Sequence, residues 1–282
     1  MASCRLRSAV LVLGSLSAFG QATTATQTFD VASIKRAPAN QEWGYRFAPG
    51  GRAILTNLSL KDLIQIAWHI QAFRIAGGAS WIDSERYDIE AKAEGNPGEA
   101  ESRVMLQSLL ADRFRLALHR QTRELPGYAL LQVKSGVRPG LVRAAEGSCT
   151  PLEDSSGPRS PEDRKRPVCG FRQWLQPPGQ GIPLMHLQGL NVTINMLARV
   201  LGTTLDTPVA DETGIAGNFD IRLEYPPDDS VLARLRPDAR PLDAAGSSLF
   251  TALQEQSGLK LESRKSPVGI FVIDRAERPS EN

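Results

Sequence analysis

Apolar residues recur along this chain at two spacings, and the switches between them mark out its elements. Phe29 to Lys35 reads as a first strand and Ala53 to Leu58 as another, opened by the turn signal Gly50-Gly51. From Ser59 the period lengthens. Leu60, Leu63, Ile64, Ala67 and Trp68 share one helical face, Ser59 with Asp62 is placed to cap it, and Gly77-Gly78 is expected to stop it. Arg86 to Ala93 alternates, with Tyr87, Ile89, Ala91 and Ala93 on one side, which predicts a half-buried strand. A second helix is predicted from near Ser102 to Asp112 over Met105, Leu106, Leu109 and Leu110. Leu116 and Leu118 restart the period of two, Pro126-Gly127 is expected to turn the chain, and Tyr128 to Val133 to return as a strand.

The same order recurs in the second half. Asn191, Thr193, Ile194, Leu197, Ala198 and Leu201 match Asn57, Ser59, Leu60, Leu63, Ile64 and Ala67 at a constant offset of 134. Phe219-Asp220-Ile221 matches Tyr87-Asp88-Ile89 at 132, and Leu249, Leu253, Leu259, Leu261 and Phe271 match Leu106, Leu110, Leu116, Leu118 and Tyr128 at 143. Three collinear blocks point to an internal duplication. The expected fold is α+β: two tandem related β-α-β-α-β-β modules, residues 26–134 and 184–282, with helices packed on mixed sheets. Between them, residues 135–183 hold eight Pro and seven Gly and read as a linker. A further insertion, Pro226 to Gly246, interrupts the second module.

The first 25 residues stand apart. Arg5 and Arg7 form a basic start, Ala9 to Phe19 is apolar, and small residues follow to Ala25, as in a secretory signal peptide. The apolar run is shorter than a membrane span needs, and no second long one follows. The expectation is therefore export to the periplasm or the medium, with no integral membrane segment after cleavage. Cys4 leaves with the leader. Cys149 and Cys169 then remain in an oxidising compartment, where a disulfide is expected to staple part of the linker. With 33 Lys plus Arg against 31 Asp plus Glu, the charge is near balance, which argues against nucleic acid as a partner.

Catalytic and metal chemistry finds little support. His69, His119 and His186 show no zinc spacing with one another or with the cysteines, so no metal and no organic cofactor are expected. Ser257 and Lys260 make a formal Ser-x-x-Lys, but Gly258 reads as a helix-ending residue, which would separate the two side chains. The carboxylates Asp83, Glu85, Asp88 and Glu90 lie close in sequence, with Asp88 and Glu90 on the polar face of a strand. The run Glu162 to Arg166 mixes both signs and reads as a solvated loop. Aromatic residues are the remaining candidates. Trp43, Tyr45 and Phe47 alternate as one strand face would, and Trp43, Tyr45, Trp81 and Trp174 are the residues expected to make binding contacts.

Longer strings carry a family resemblance. Phe29 to Lys35, Trp81 to Lys92, Leu109 to Phe114 and Glu277 to Asn282 resemble the soil-associated family of secreted proteins of unknown function that is expanded in acidobacteria. The resemblance spans the whole mature chain, implies export, and brings no catalytic residues. Some relatives carry such a unit beside a membrane metallopeptidase of the beta-lactam-sensor type, whose spans and metalloprotease motif this chain lacks. Each repeat alone is similar in pattern to the short N-terminal domains of secretins and TonB-dependent receptors. The expected function is a non-catalytic exported binding or interaction module acting on an envelope protein or ligand. The alternatives are an envelope hydrolase, using Ser257 and Lys260 or the clustered carboxylates, and an extracytoplasmic sensor unit acting with a membrane partner.

Overall fold

The computed structural model describes residues 28–38, 41–134, 136–137, 139–151, 165–176, 183–227 and 248–279. The expected leader, most of the insertion Pro226 to Gly246, and Ser280 to Asn282 lie outside the described residues. Helices combine with antiparallel and mixed sheets in an α+β fold.

In the first half, β1 (Val31–Arg36), β2 (Gly44–Ala48), β3 (Arg52–Ser59) and β5 (Arg86–Lys92) form an antiparallel sheet of order β1-β5-β3-β2, with β4 (Ile75–Gly77) placed elsewhere. Helix α1 (Leu60–Trp68) starts where the capping pattern predicts. The Ser59 backbone N–H donates to Asp62 Oδ2 at 2.9 Å and the Asp62 N–H to Ser59 Oγ at 3.1 Å, so two otherwise orphaned donors are satisfied reciprocally. Its buried stripe of Leu60, Leu63, Ile64, Ile66 and Ala67 joins a core with Leu55, Tyr87 and Ile89 of the sheet. The four-residue helix α2 (Trp81–Ser84) and helix α3 (Glu99–Arg113) complete the cover, α3 adding Leu106 and Leu110 to that core.

The second half follows the same course. Strands β7 (Leu141–Arg143), β8 (Gly170–Leu175), β9 (Met185–Val192) and β11 (Phe219–Tyr225) form an antiparallel sheet of order β7-β11-β9-β8. Helix α4 (Ile194–Thr204) is capped by Thr193, whose Oγ1 accepts the Met196 N–H at 3.2 Å. Asn57 and Asn191 both have φ near +53°, and each donates its backbone N–H to an aspartate, Asp88 at 2.8 Å and Asp220 at 2.9 Å. Short helix α5 (Leu249–Ala252) runs into a π-turn over Leu253–Ser257, which ends at Gly258 with φ +74°. Glycine is needed there because a Cβ would fall 2.2 Å from the Gly136 carbonyl oxygen.

Three expectations change. Helix α1 stops at Trp68 rather than at Gly77, because His69 turns left-handed and Ile75–Gly77 is taken into a strand. The residues read as a linker supply β7 and β8 to the third sheet. Pro126-Gly127 does not turn. It sits inside β6 (Ala117–Gln132), which pairs antiparallel along its whole length with β12 (Leu259–Arg275). The two predicted hairpins are therefore two long strands paired with each other.

That ribbon fuses the halves. The central sheet has the order β10-β6-β12-β4, in which β10 (Val209–Asp211) runs parallel to β6 and β4 parallel to β12. Each half thus adds its short strand to the long strand of the other. Ile273 of β12 accordingly lies in the first half's core and Leu130 of β6 in the second's.

Candidate functional site

The crossing of the halves leaves a trough between α1, α4 and the ribbon. Helix α1 ends there because His69 takes the left-handed conformation, its N–H donating to Ile66 O at 3.3 Å and the Ile70 N–H to Gln65 O at 3.1 Å. Helix α3 supports this end from beneath. Gln107 Nε2 donates to Ala67 O at 2.8 Å and the Arg103 guanidinium to Ile66 O, adding side-chain donors to the carbonyls at this helix end.

Two clefts make up the trough and share His69, Ile70, Gln71 and Arg199. One, of about 690 Å³, reaches the ribbon at Arg120, Gly269 and Phe271. The other, of about 550 Å³, runs between α1 and α4. In the second cleft Ile66 and His69 face Val200 and Thr203, the residues 134 positions later. Tyr45 and Phe171 also line it; their strand partners are Leu55 and Gly189, again 134 apart.

The electrostatics are one-sided. Arg74, Arg120 and Arg199 line the larger cleft, and Arg103 the smaller, without any carboxylate among the described lining residues. Arg74 donates through Nε to Gly269 O at 2.7 Å, and the Arg120 guanidinium lies 5.1 Å from the centre of the Phe271 ring. Burial, and then repulsion from Arg199 and Arg120, lowers the Arg74 pKa from its ordinary value. His69 is also held low, first by burial and then by Arg103 and Arg199, with Glu99 opposing them. His69 thus stands beside Arg103 and Arg199, next to an apolar floor of Trp68, Ile70 and Phe271.

The four expected contact residues are not brought together. Tyr45 lines the trough. Trp43 precedes β2 and is 73% exposed. Trp174 lies on the solvent side of the third sheet, stacked on His186 with ring centres 5.1 Å apart and planes within 6°. Trp81, expected at the surface, is 8% exposed in the first core, with Arg278 laid 5.2 Å from its ring centre. Its burial follows from α2 turning the ring inward against the sheet. The trough residues Arg74, Arg120 and Arg199 carried no sequence signal, because they come from three distant segments.

The enzyme-like constellations resolve into structural pairings. Ser257 is fully buried and donates Oγ to Leu253 O at 2.6 Å, while the Lys260 ammonium pairs with Glu262. Asp83 pairs with Lys61 at 3.1 Å, Asp88 accepts from Asn57, and Glu85 accepts from Arg278 and Arg36. Tyr87 Oη donates to Glu85 at 3.0 Å; burial, then that carboxylate, pushes its pKa up to about 12. His119 bonds Asp274 at 2.8 Å, and His186 lies 3.3 Å from Glu224. Among the described residues no three His, Cys, Asp or Glu side chains gather as metal ligands would, and no helix is long and apolar enough to cross a membrane. Cys149 and Cys169 lie at disulfide distance, Sγ to Sγ 2.05 Å.

A family model described as a protein of unknown function, DUF3738, matches residues 61–276. No curated protein and no solved structure matches the chain.

Proposed function

The chain belongs to the DUF3738 family of proteins of unknown function, and from that premise we propose that it is an exported, non-catalytic binding module of the cell envelope. Its ligand enters the trough between the halves. The observation that carries this reading is the trough itself, a concave site between two packed halves with an apolar floor and a few convergent polar groups. Ser257, Lys260 and Asp83 lie outside it and are engaged in structural pairs, which favours binding over hydrolysis.

Export is supported by the leader-like composition of residues 1–25 and by two remaining cysteines at bonding distance, as suits an oxidising compartment. We read the two halves as tandem duplicated modules. Matching sheet orders, the paired Asn57 and Asn191, and the constant offset of 134 support that origin. Tyr45 makes contact within the trough, and Trp43 and Trp174 are the exposed aromatics available to a larger partner.

Two measurements test the reading. The mature protein used as bait in an envelope extract should retain a component that a Tyr45→Ala, Phe171→Ala variant releases. Neither the wild type nor a Ser257→Ala, Lys260→Ala variant should turn over peptidoglycan, ester or beta-lactam substrates. Wild-type turnover that disappears in that variant would replace the binding module with a hydrolase.

A further inference from the structure

We propose that the trough is an anion site, and that its ligand is a small organic carboxylate or phosphate attached to an apolar body. The assignment rests on the binding reading above and adds the class of ligand. Several arginines elsewhere on this surface meet carboxylates: Arg36 and Arg278 share Glu85, Arg86 meets Asp62, Arg264 meets Glu212, and Arg275 meets Glu277; Arg74, Arg120 and Arg199 are set apart by lining one cleft together. Arg74, Arg120 and Arg199 have no such partner among the described residues, although the chain as a whole carries a formal charge of only +2. Arg120 and Arg199 line the same cleft and both repel Arg74, and an anion seated beside it would relieve that repulsion.

The fold itself does not require these arginines. At the other end of the ribbon the same register places Tyr128 beside Ser263, as Phe271 lies beside Arg120. There the residues 134 after Arg74 and 143 after Arg120 are Pro208 and Ser263, and Phe250 packs on Tyr128 with ring centres 5.2 Å apart. The counterpart of Arg199 in α1 is Gln65. The related place is a smaller cleft, of about 350 Å³, lined by Tyr128, Ser263, Arg264 and Lys265, where Arg264 pairs with Glu212, while the larger cleft of the trough carries three arginines and no carboxylate among the described lining residues. A ligand at the trough accounts for that difference.

The geometry also limits the ligand. Arg74 is fixed by its Nε bond to Gly269 O, so its two terminal nitrogens keep a defined position from which a planar oxyanion is bound by two parallel hydrogen bonds. Arg120, lying against Phe271, is similarly pre-placed. The apolar floor takes a ring or short alkyl body, and a cleft of about 690 Å³ accommodates a small molecule.

Titration calorimetry of the purified protein with phthalate and with phenyl phosphate tests the assignment, with benzyl alcohol as the uncharged control. Saturable 1:1 binding is expected for at least one anion and none for the alcohol. Preference for phthalate points to a carboxylate ligand, and preference for phenyl phosphate to a phosphate. An Arg120→Gln, Arg199→Gln variant should bind at least tenfold more weakly, with a ligand-free melting temperature equal to or above wild type because repulsion is relieved. Absence of saturation with both anions, or affinity unchanged in the variant, would overturn the anion site. The non-catalytic reading would survive that failure, since it is judged by envelope capture and turnover.

Discussion

At Glu85 three side chains converge on one carboxylate. Arg278 donates from Nε and Nη2 to Oε1 at 2.9 and 2.7 Å, Arg36 reaches Oε2 at 3.1 Å, and Tyr87 Oη donates to Oε2 at 3.0 Å. The Glu277 N–H donates to Phe114 O at 2.7 Å, so the segment after β12 is tied to the first half at two successive residues. The Arg278 hydrogen bonds, followed by the Tyr87 hydrogen bond and the nearby guanidinium charges, hold the Glu85 pKa below the usual carboxylate range despite an opposing desolvation effect. A depressed folded value means the contribution is present above the unfolded pKa and is lost as pH falls through the folded one. Thermal melts from neutral pH down to about pH 3 should therefore show a steeper acid decline for wild type than for Glu85→Gln, starting near the ordinary glutamate value of about 4.3. Parallel pH profiles would contradict this.

Among the elements, β6 shows how a strand absorbs a turn signal. Pro126 lacks an N–H, but β10 joins β6 only from Tyr128 onward, so no ladder bond is missing at the proline. Instead Pro126 O accepts from Thr207 Oγ1 at 3.0 Å, and the Tyr128 N–H donates to Pro208 O at 2.8 Å. Gly127 lets that backbone approach: a Cβ there would lie 2.3 Å from Pro208 O. Gly127→Ala should cost roughly 1–3 kcal/mol in urea denaturation, the usual range for forced overpacking. Gly44→Ala, where a Cβ meets nothing within 4 Å, should stay within about 0.5 kcal/mol of wild type. Equal losses at both sites would refute the close-approach explanation.

For the whole molecule, the shared ribbon makes the halves depend on each other. Residues 28–134 alone would lose β12, the partner of all of β6, and also Ile273 from their own core. The full chain should therefore unfold in one transition, with circular dichroism and tryptophan fluorescence giving the same midpoint. The isolated fragment should show no cooperative transition. Two separated transitions in the full chain would mean that the halves fold independently after all.

Local rules settled what depends on neighbours in sequence. The Ser59 and Asp62 capping pair, the alternation through Tyr87, Ile89 and Ala91, the end of the π-turn at Gly258, and the proximity of Cys149 to Cys169 were all legible. Each involves a period, a cap or a constrained loop. The fate of Pro126-Gly127 was not legible, because a local turn preference yielded to pairing with Lys265 and Arg264, far along the chain. Trp81 misled for the same reason: an aromatic residue reads alike whether it packs inward or faces solvent, and only the placement of α2 against the sheet buried it. The trough lies wholly on the tertiary side. Arg74, Arg120 and Arg199 are ordinary surface residues in sequence, and they line one cleft only because the two long strands pair with each other in the central sheet.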